Sequence, residues 1–253
     1  MKKLFCISDI HGFYDEMKDA LDEAGFDPNN TDHWLISCGD EWDRGPEPLK
    51  VMKYLYNLPR KVLIQGNHIE LFEDLCCRGF AYSHDKSNGT VDTVRKIGYG
   101  ADFYEKCDYA LKRTKDYRDS LVNYFETKNY IFVHSWIPVI NQDGLPAHYT
   151  KNRKFEWNAD WRNACKKEWR EAMWGNPFDM ARRGLNKTGK IIVFGHWHCS
   201  AGWAKIDSCS EFGDDAKFDP YYGDGFIAID ACTAYSGKCN VIVIEDEFLG
   251  AEK

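Results

Sequence analysis

The chain has 253 residues, of which 43% are hydrophobic and 29% charged, with a formal net charge of -7. That length suits one large buried core, so one domain over residues 1–253 is expected, and the acidity argues against a broad nucleic-acid-binding face, which would need basic side chains to replace counterions. No apolar run approaches the roughly 18 residues of a membrane span, and the opening MKKLFCISDIHG meets Ser8 and Asp9 before a secretory core can form, so no membrane and a cytoplasmic location are expected. The ten cysteines are scattered without a C-x-x-C pair and are read as reduced, mostly buried thiols.

In chain order, Lys3 to Ser8 reads as a buried strand and Tyr14 to Ala24 as an amphipathic helix ending at Gly25. A strand over Trp34 to Cys38, a helix over Pro48 to Leu58 and a strand over Lys61 to Ile64 complete a βαβαβ opening. Such alternation predicts an α/β fold with a largely parallel sheet. Tyr130 to Val133 and Ile191 to Phe194 are further strands. Gly225 to Asp230 and Cys239 to Glu245 look like a closing pair turning at Tyr235, Ser236 and Gly237.

Ligands of open α/β sheets gather beyond the carboxyl ends of the strands. There the sequence sets Asp9 and His11, then Asp40 and Asp43, then Asn67 and His68, and later His134 and His196. Mixed imidazole and carboxylate donors suit manganese, iron or zinc, with manganese the first expectation, better than an all-oxygen cage would. Two divalent cations about 3.5 to 4 Å apart can grip a phosphate and lower the pKa of a shared water. Asp40, after Gly39, is the candidate carboxylate between the two cations. Asp9 and His11 would serve the first, and Asn67, His134 and His196 the second.

The blocks Asp9-Ile10-His11-Gly12, Gly39-Asp40-Glu41-Trp42-Asp43-Arg44-Gly45, Gly66-Asn67-His68, Val133-His134 and Gly195-His196 together resemble the phosphoprotein phosphatase branch of the calcineurin-like metallophosphoesterases. Within it they are similar to the bacterial and lambda-phage-type serine/threonine protein phosphatases and to the symmetrical diadenosine tetraphosphatases. Met173-Trp174-Gly175-Asn176-Pro177 and Asn88-Gly89-Thr90 with Thr93 add weaker likeness. The resemblance implies a four-layer αββα sandwich of two mixed sheets and a dinuclear metal centre, with direct attack on phosphorus by a hydroxide bridging the metals. It also implies a general acid at His68 oriented by Asp43, a phosphate clamp at Arg44, and a second phosphate-binding arginine for which Arg183 is the candidate.

Gln65 departs from the arginine that many protein phosphatases carry before Gly-Asn-His, Ile69 from an acidic residue, and Ser135-Trp136 from a small pair. Three functions follow as expectations. The first is a phosphomonoesterase of the serine/threonine protein phosphatase type; the second is a dinucleoside polyphosphate or nucleotide hydrolase; the third is a metal-containing module without activity. His198 is read as outside the ligand set, and His33, His84 and His148 as solvated loop residues. Trp157, Trp161 and Trp169 are read as core or lid packing rather than base-stacking surfaces, and the segment from Asp207 to Tyr222 as a cover of the cleft or plain surface.

Overall fold

The structure, a computed structural model, describes residues 2–144, 154–206 and 209–248; His148 lies outside them, as do residues 207–208 of the Asp207 to Tyr222 segment. The opening unit is β1 (Lys2–Ile7), α1 (Tyr14–Glu23), β2 (His33–Ser37), α2 (Pro48–Asn57) and β3 (Lys61–Leu63). The three strands are parallel, with Leu4 opposite Trp34 and Ile36 opposite Val62. Met17 and Leu21 lie one turn apart and bury the inner side of α1. In α2 a proline at the first position fixes φ where no backbone donor is needed, and Val51, Met52 and Leu55 face inward.

Between the third strand and the second sheet run α3 (Asn67–Arg78), α4 (Ser83–Ser87), α5 (Thr90–Ile97), α6 (Phe103–Arg113) and α7 (Lys115–Asp119). Strands β4 (Tyr124–Glu126) and β5 (Tyr130–Val133) follow, then a short pair, β6 (Ile140–Asn141) and β7 (Phe155–Glu156). Next come α8 (Lys166–Met173), α9 (Pro177–Arg182), β8 (Ile191–Phe194), α10 (Ser200–Ile206), β9 (Tyr221–Gly223), β10 (Phe226–Ala228), α11 (Thr233–Ser236) and β11 (Ile242–Asp246). Two mixed sheets result, ordered β11-β1-β2-β3 and β4-β5-β8-β10-β9.

Strand alternation builds the layers, because successive side chains point to opposite faces. Leu4 and Cys6 of β1 share an inner apolar layer with Ile36, Phe132, Val193, Ile227 and Ile244. Phe5 and Ile7 point the other way, onto Met17, Leu21, Val51 and Phe72 of the helices outside the first sheet. On the second sheet Ile131, Val133 and Ile192 face Trp161, Trp169, Phe178 and Met180. The order is helices, sheet, sheet, helices, as the resemblance implies.

The expected closing pair is not formed. β11 runs antiparallel to β1, with Phe5 opposite Val243, whereas β10 lies parallel to β8 and antiparallel to β9. Ile227 and Ile229 follow the same alternation as Ile242 and Ile244, and both pairs meet in the inner layer from opposite sheets. Strand periodicity reports a buried face without saying which sheet owns it. The Tyr235 to Gly237 stretch, read as a hairpin turn, is the end of α11, and the left-handed Cys232 and Gly237 redirect the chain at either side of it.

Other expectations fall as follows. Trp161 and Trp169 are buried around Tyr124, with ring centroids 4.9 and 5.2 Å away, but they come from a 3-10 turn and from α8 rather than from one helix face. All ten cysteines are free; Cys6, Cys38, Cys76, Cys107 and Cys199 are buried, while Cys77 and Cys165 are exposed. His33 opens β2 and accepts from the Asp27 amide, so it is not a plain loop residue, and exposed His84 lies in α4. Among the described residues no helix is long and apolar enough to cross a membrane.

One carboxylate ties the far edges of the sheets together. Asp246, at the end of β11, accepts from the Thr127 hydroxyl at 2.7 Å, the Asn129 amide at 2.9 Å and the Asn129 side chain at 2.8 Å. Burial opposes ionisation, but these donors outweigh it and hold the carboxyl below its ordinary 3.8. Asp246→Ala is expected to destabilise the protein by about 2 to 3 kcal/mol at pH 7 in urea melts. A depressed carboxyl stabilises above its unfolded pKa and loses that contribution as pH falls through its folded value, so the gap between variant and parent should close below about pH 4.

Candidate metal centre

The strand ends converge. Asp9 and His11 leave β1, Asp40 leaves β2, Asn67 and His68 open α3 after β3, His134 leaves β5, and His196 leaves β8. All are buried or nearly so. Among the described residues, His11, Asp40 and His68 form one group of donors within 4.8 Å of one another, and Asp40, His134 and His196 form a second. Asp40 belongs to both.

Getting so many donors to one point strains the backbone. Among the described residues, the non-glycine positions with positive φ are Asp9 (52°), His11 (51°), Asp40 (58°), Asp43 (72°), Arg44 (60°), His196 (65°) and Cys232 (52°). Such conformations cost energy for residues with a Cβ and persist where surrounding structure over-determines them. All but Cys232 were singled out in the sequence. The glycines beside them serve close approach. A Cβ on Gly66 would strike the Asp40 carboxylate, and one on Gly195 the Asp9 carboxylate.

Hydrogen bonds fix which ring nitrogen faces the centre. His11 Nδ1 lies 2.7 Å from the Trp42 carbonyl and His134 Nδ1 2.8 Å from the Cys38 carbonyl. A carbonyl oxygen only accepts, so both Nδ1 atoms carry protons and both Nε2 atoms point inward, the arrangement that holds metal-ligating histidines. His134 Nε2 then meets Asn67 Oδ1 at 2.8 Å and Asp40 Oδ2 at 3.4 Å, and His196 Nδ1 meets the same Asn67 oxygen at 3.0 Å. A neutral His134 would set lone pairs against lone pairs there. A proton or a cation must relieve that contact, and the donor set therefore fits divalent metal ions.

The electrostatics agree. Burial lowers His134, but Asp40 and Asp9 outweigh it and raise its pKa to about 9, so without metal a proton occupies the position. Burial and charged His134 push His196 down to about 3, and burial with Arg44 holds His11 well below its usual range, leaving both neutral. Asp40 stays ionised: burial opposes it, but His134 and His68 prevail. Asp9 rises to about 6 through burial, with the Asp40 charge adding to it. Its Oδ1 is 3.9 Å from His11 Nε2, while Oδ2 accepts the His196 amide at 2.8 Å.

At the mouth, His68 Nδ1 donates to Asp43 Oδ2 at 2.6 Å, and the same oxygen accepts the Thr90 hydroxyl at 2.7 Å. The exposed Arg44 bridges the two imidazoles, with Nη1 2.6 Å from His11 Nε2 and Nη2 3.4 Å from His68 Nε2. Arg183 Nε donates to Asp179 at 2.8 Å, and its guanidinium lies 5.8 Å from the Phe155 ring. His198 pairs with Ser200 at 2.8 Å and Glu211 at 3.3 Å rather than joining the donors.

Three supporting residues escaped the sequence reading. Thr90 lay in a noted segment without a role. Glu70 accepts the Trp174 indole N–H at 2.9 Å and pairs with Arg170, docking the Trp174 segment against α3. Asp230 is buried just past β10, accepts the Cys232 amide at 2.6 Å, and is pushed well up by burial and by the Asp9 charge. The strand-end rule that found the ligands would have found it too.

Residues 2–200 match the calcineurin-like phosphoesterase family, and the chain belongs to that family of metallophosphoesterases. It is more particularly similar to a symmetrical bis(5'-nucleosyl)-tetraphosphatase of Pseudomonas fluorescens (strain SBW25), at 25% identity over 257 residues, covering 93% of this chain and 83% of that protein. A protein of the same name from Buchnera aphidicola subsp. Acyrthosiphon pisum (strain 5A) is 45% identical over 65 residues, 25% of this chain and 23% of that one. Among solved structures, the fold is similar to a protein serine/threonine phosphatase from Saccharomyces cerevisiae, with a TM-score of 0.50 at 12% identity over 99% of this chain and 81% of that one.

In protein stripped with a chelator, the raised His134 pKa stabilises fully below its ordinary 6.5 and is lost as pH rises through about 9. The stability difference between the parent and His134→Gln should therefore shrink from pH 7 to pH 10. Added manganese should abolish that pH dependence, because a cation displaces the same proton. Calorimetry of both proteins across this range reads the effect.

Proposed function

We propose that the chain is a dinuclear-metal hydrolase of dinucleoside polyphosphates, foremost bis(5'-nucleosyl)-tetraphosphates, each of which would be split into two nucleoside diphosphates. The observation that carries this reading is the likeness to the Pseudomonas fluorescens symmetrical tetraphosphatase along 93% of the chain. Gln65 supports it over the phosphoprotein expectation, since one phosphate-gripping guanidinium of many protein phosphatases is replaced by a neutral amide.

Asp9, His11, Asp40, Asn67, His134 and His196 would hold the two cations, with Asp40 between them. Bound there, the metals would supply charge neutralisation for phosphate and acidify a water. The chain's own contribution is positioning and proton control. The planar fork of Arg44 at the mouth suits the non-bridging oxygens of the phosphate under attack. His68 Nε2 faces the same opening, and a proton held there can pass to the leaving oxygen as the bond to phosphorus breaks. Asp43, accepting from Nδ1, would stabilise the imidazolium that carries a second proton on Nε2, and Thr90 fixes Asp43.

Two measurements test the reading. With manganese present, kcat/KM should be higher for diadenosine tetraphosphate than for a phosphoserine peptide, with ADP as the nucleotide product; the reverse preference would restore the phosphoprotein reading. His68→Asn should lower kcat by roughly 10²- to 10⁴-fold on alkyl phosphates, whose alkoxide needs a proton, and far less on p-nitrophenyl phosphate. Equal losses on both would remove His68 from the acid role.

A further inference from the structure

Phe212 and Tyr235 are 48% and 56% exposed, large rings open to solvent on the segments that follow His196 and Asp230. Two separate paths set them there. From the ligand His196 the chain reaches His198, whose ring lies 4.8 Å from that of Phe212. From Asp230, just past β10, the chain turns through Cys232, whose amide donates to the Asp230 carboxylate at 2.6 Å and whose carbonyl accepts the Tyr235 amide at 2.8 Å. The two rings meet edge to face at 5.3 Å.

The pair is held rather than loose. Tyr235 Oη accepts the Gly213 amide at 3.1 Å, and the Ser200 hydroxyl and the Asn240 side chain donate to the carbonyls of Glu211 and Phe218 at 2.7 Å each. These bonds fasten the segment carrying Phe212 onto α10 and α11 while about half of its ring stays exposed. The segments carrying the rings bear exposed Glu211, Asp214, Asp215 and Asp219 against Lys217 and Lys238, a net negative charge. Such a surface repels a phosphate chain, so phosphates are directed toward Arg44. A neutral heterocycle is not repelled, and exocyclic amino groups find acceptors in the carboxylates.

We infer that Phe212 and Tyr235 form a stacking platform for one nucleobase of the substrate. Aromatic faces accept any base, and removing such a face typically weakens binding by tenfold or more. The inference rests on the dinucleoside polyphosphate reading and adds to it the residues that recognise the nucleoside end.

The test compares kcat/KM for diadenosine tetraphosphate and for p-nitrophenyl phosphate, which has no base, in the manganese-loaded full chain and in Phe212→Ala, Tyr235→Ala and Tyr235→Phe. The ratio of the two values should fall about tenfold in each alanine variant, through KM for the dinucleotide, and recover in Tyr235→Phe, which keeps the ring. If the parent cleaves diadenosine tetraphosphate and the alanine variants keep its ratio, the platform is wrong while the substrate reading stands. If the parent cleaves p-nitrophenyl phosphate but not diadenosine tetraphosphate, both are wrong. A loss confined to phosphopeptide turnover would assign the rings to a protein substrate and overturn the inference.

Discussion

The Asp40 carboxylate is the contact on which the centre depends. One oxygen accepts the His68 amide at 3.0 Å, which fixes the start of α3; the other lies 3.4 Å from His134 Nε2 and 3.8 Å from His68 Nε2. Asp40 and His68 come from the first sheet and its helices, and His134 from the second. A single negative charge thus sits where the two halves of the sandwich meet, and it stays ionised because the neighbouring imidazoles, charged His134 first, outweigh its burial. Without it, buried imidazoles would face one another with nothing to offset their repulsion or order their protons.

The strained loops follow from that demand. Six donors must reach one point from five strand ends, and turns of ordinary geometry would leave side chains pointing along the sheet rather than past it. Left-handed residues at Asp9, His11, Asp40 and His196 turn the chain two to four residues past each strand's end. Gly66 and Gly195 let neighbouring loops close until backbone touches carboxylate. The inner layer of Leu4, Ile36, Phe132 and Val193 supplies the rigidity that keeps such turns from relaxing.

Much of this was legible in the sequence because it follows from short periods and fixed offsets. The β1, β2, β5 and β8 strands announce themselves as apolar runs, and polar donors after each run mark where a parallel sheet collects ligands. Asp43 and His68 were legible as a pair only through the family likeness, since 25 residues separate two side chains that bond at 2.6 Å. Thr90 and Glu70 were not legible as supports, because their roles lie in side-chain hydrogen bonds that no spacing encodes. The helices from Ser83 to Asp119 carry mixed polar faces and drew no assignment, though Val91, Val94 and Ile97 bury one side of α5. The partner of β11 was misread for a different reason: alternation records burial, and two sheets sharing one inner layer bury their strands alike.

The edge position of β11 bears on how the molecule is made. β1 hydrogen-bonds on one side to β2, which follows soon after it, and on the other to residues 242–246. During translation the nascent first sheet carries an open flank of unpaired amides and carbonyls for almost the whole length of synthesis, a ready template for wrong pairing. The donors that follow β5 and β8 emerge within the same interval. Completion of the first sheet therefore waits for residues 242–246, the last strand in the chain order of the described residues.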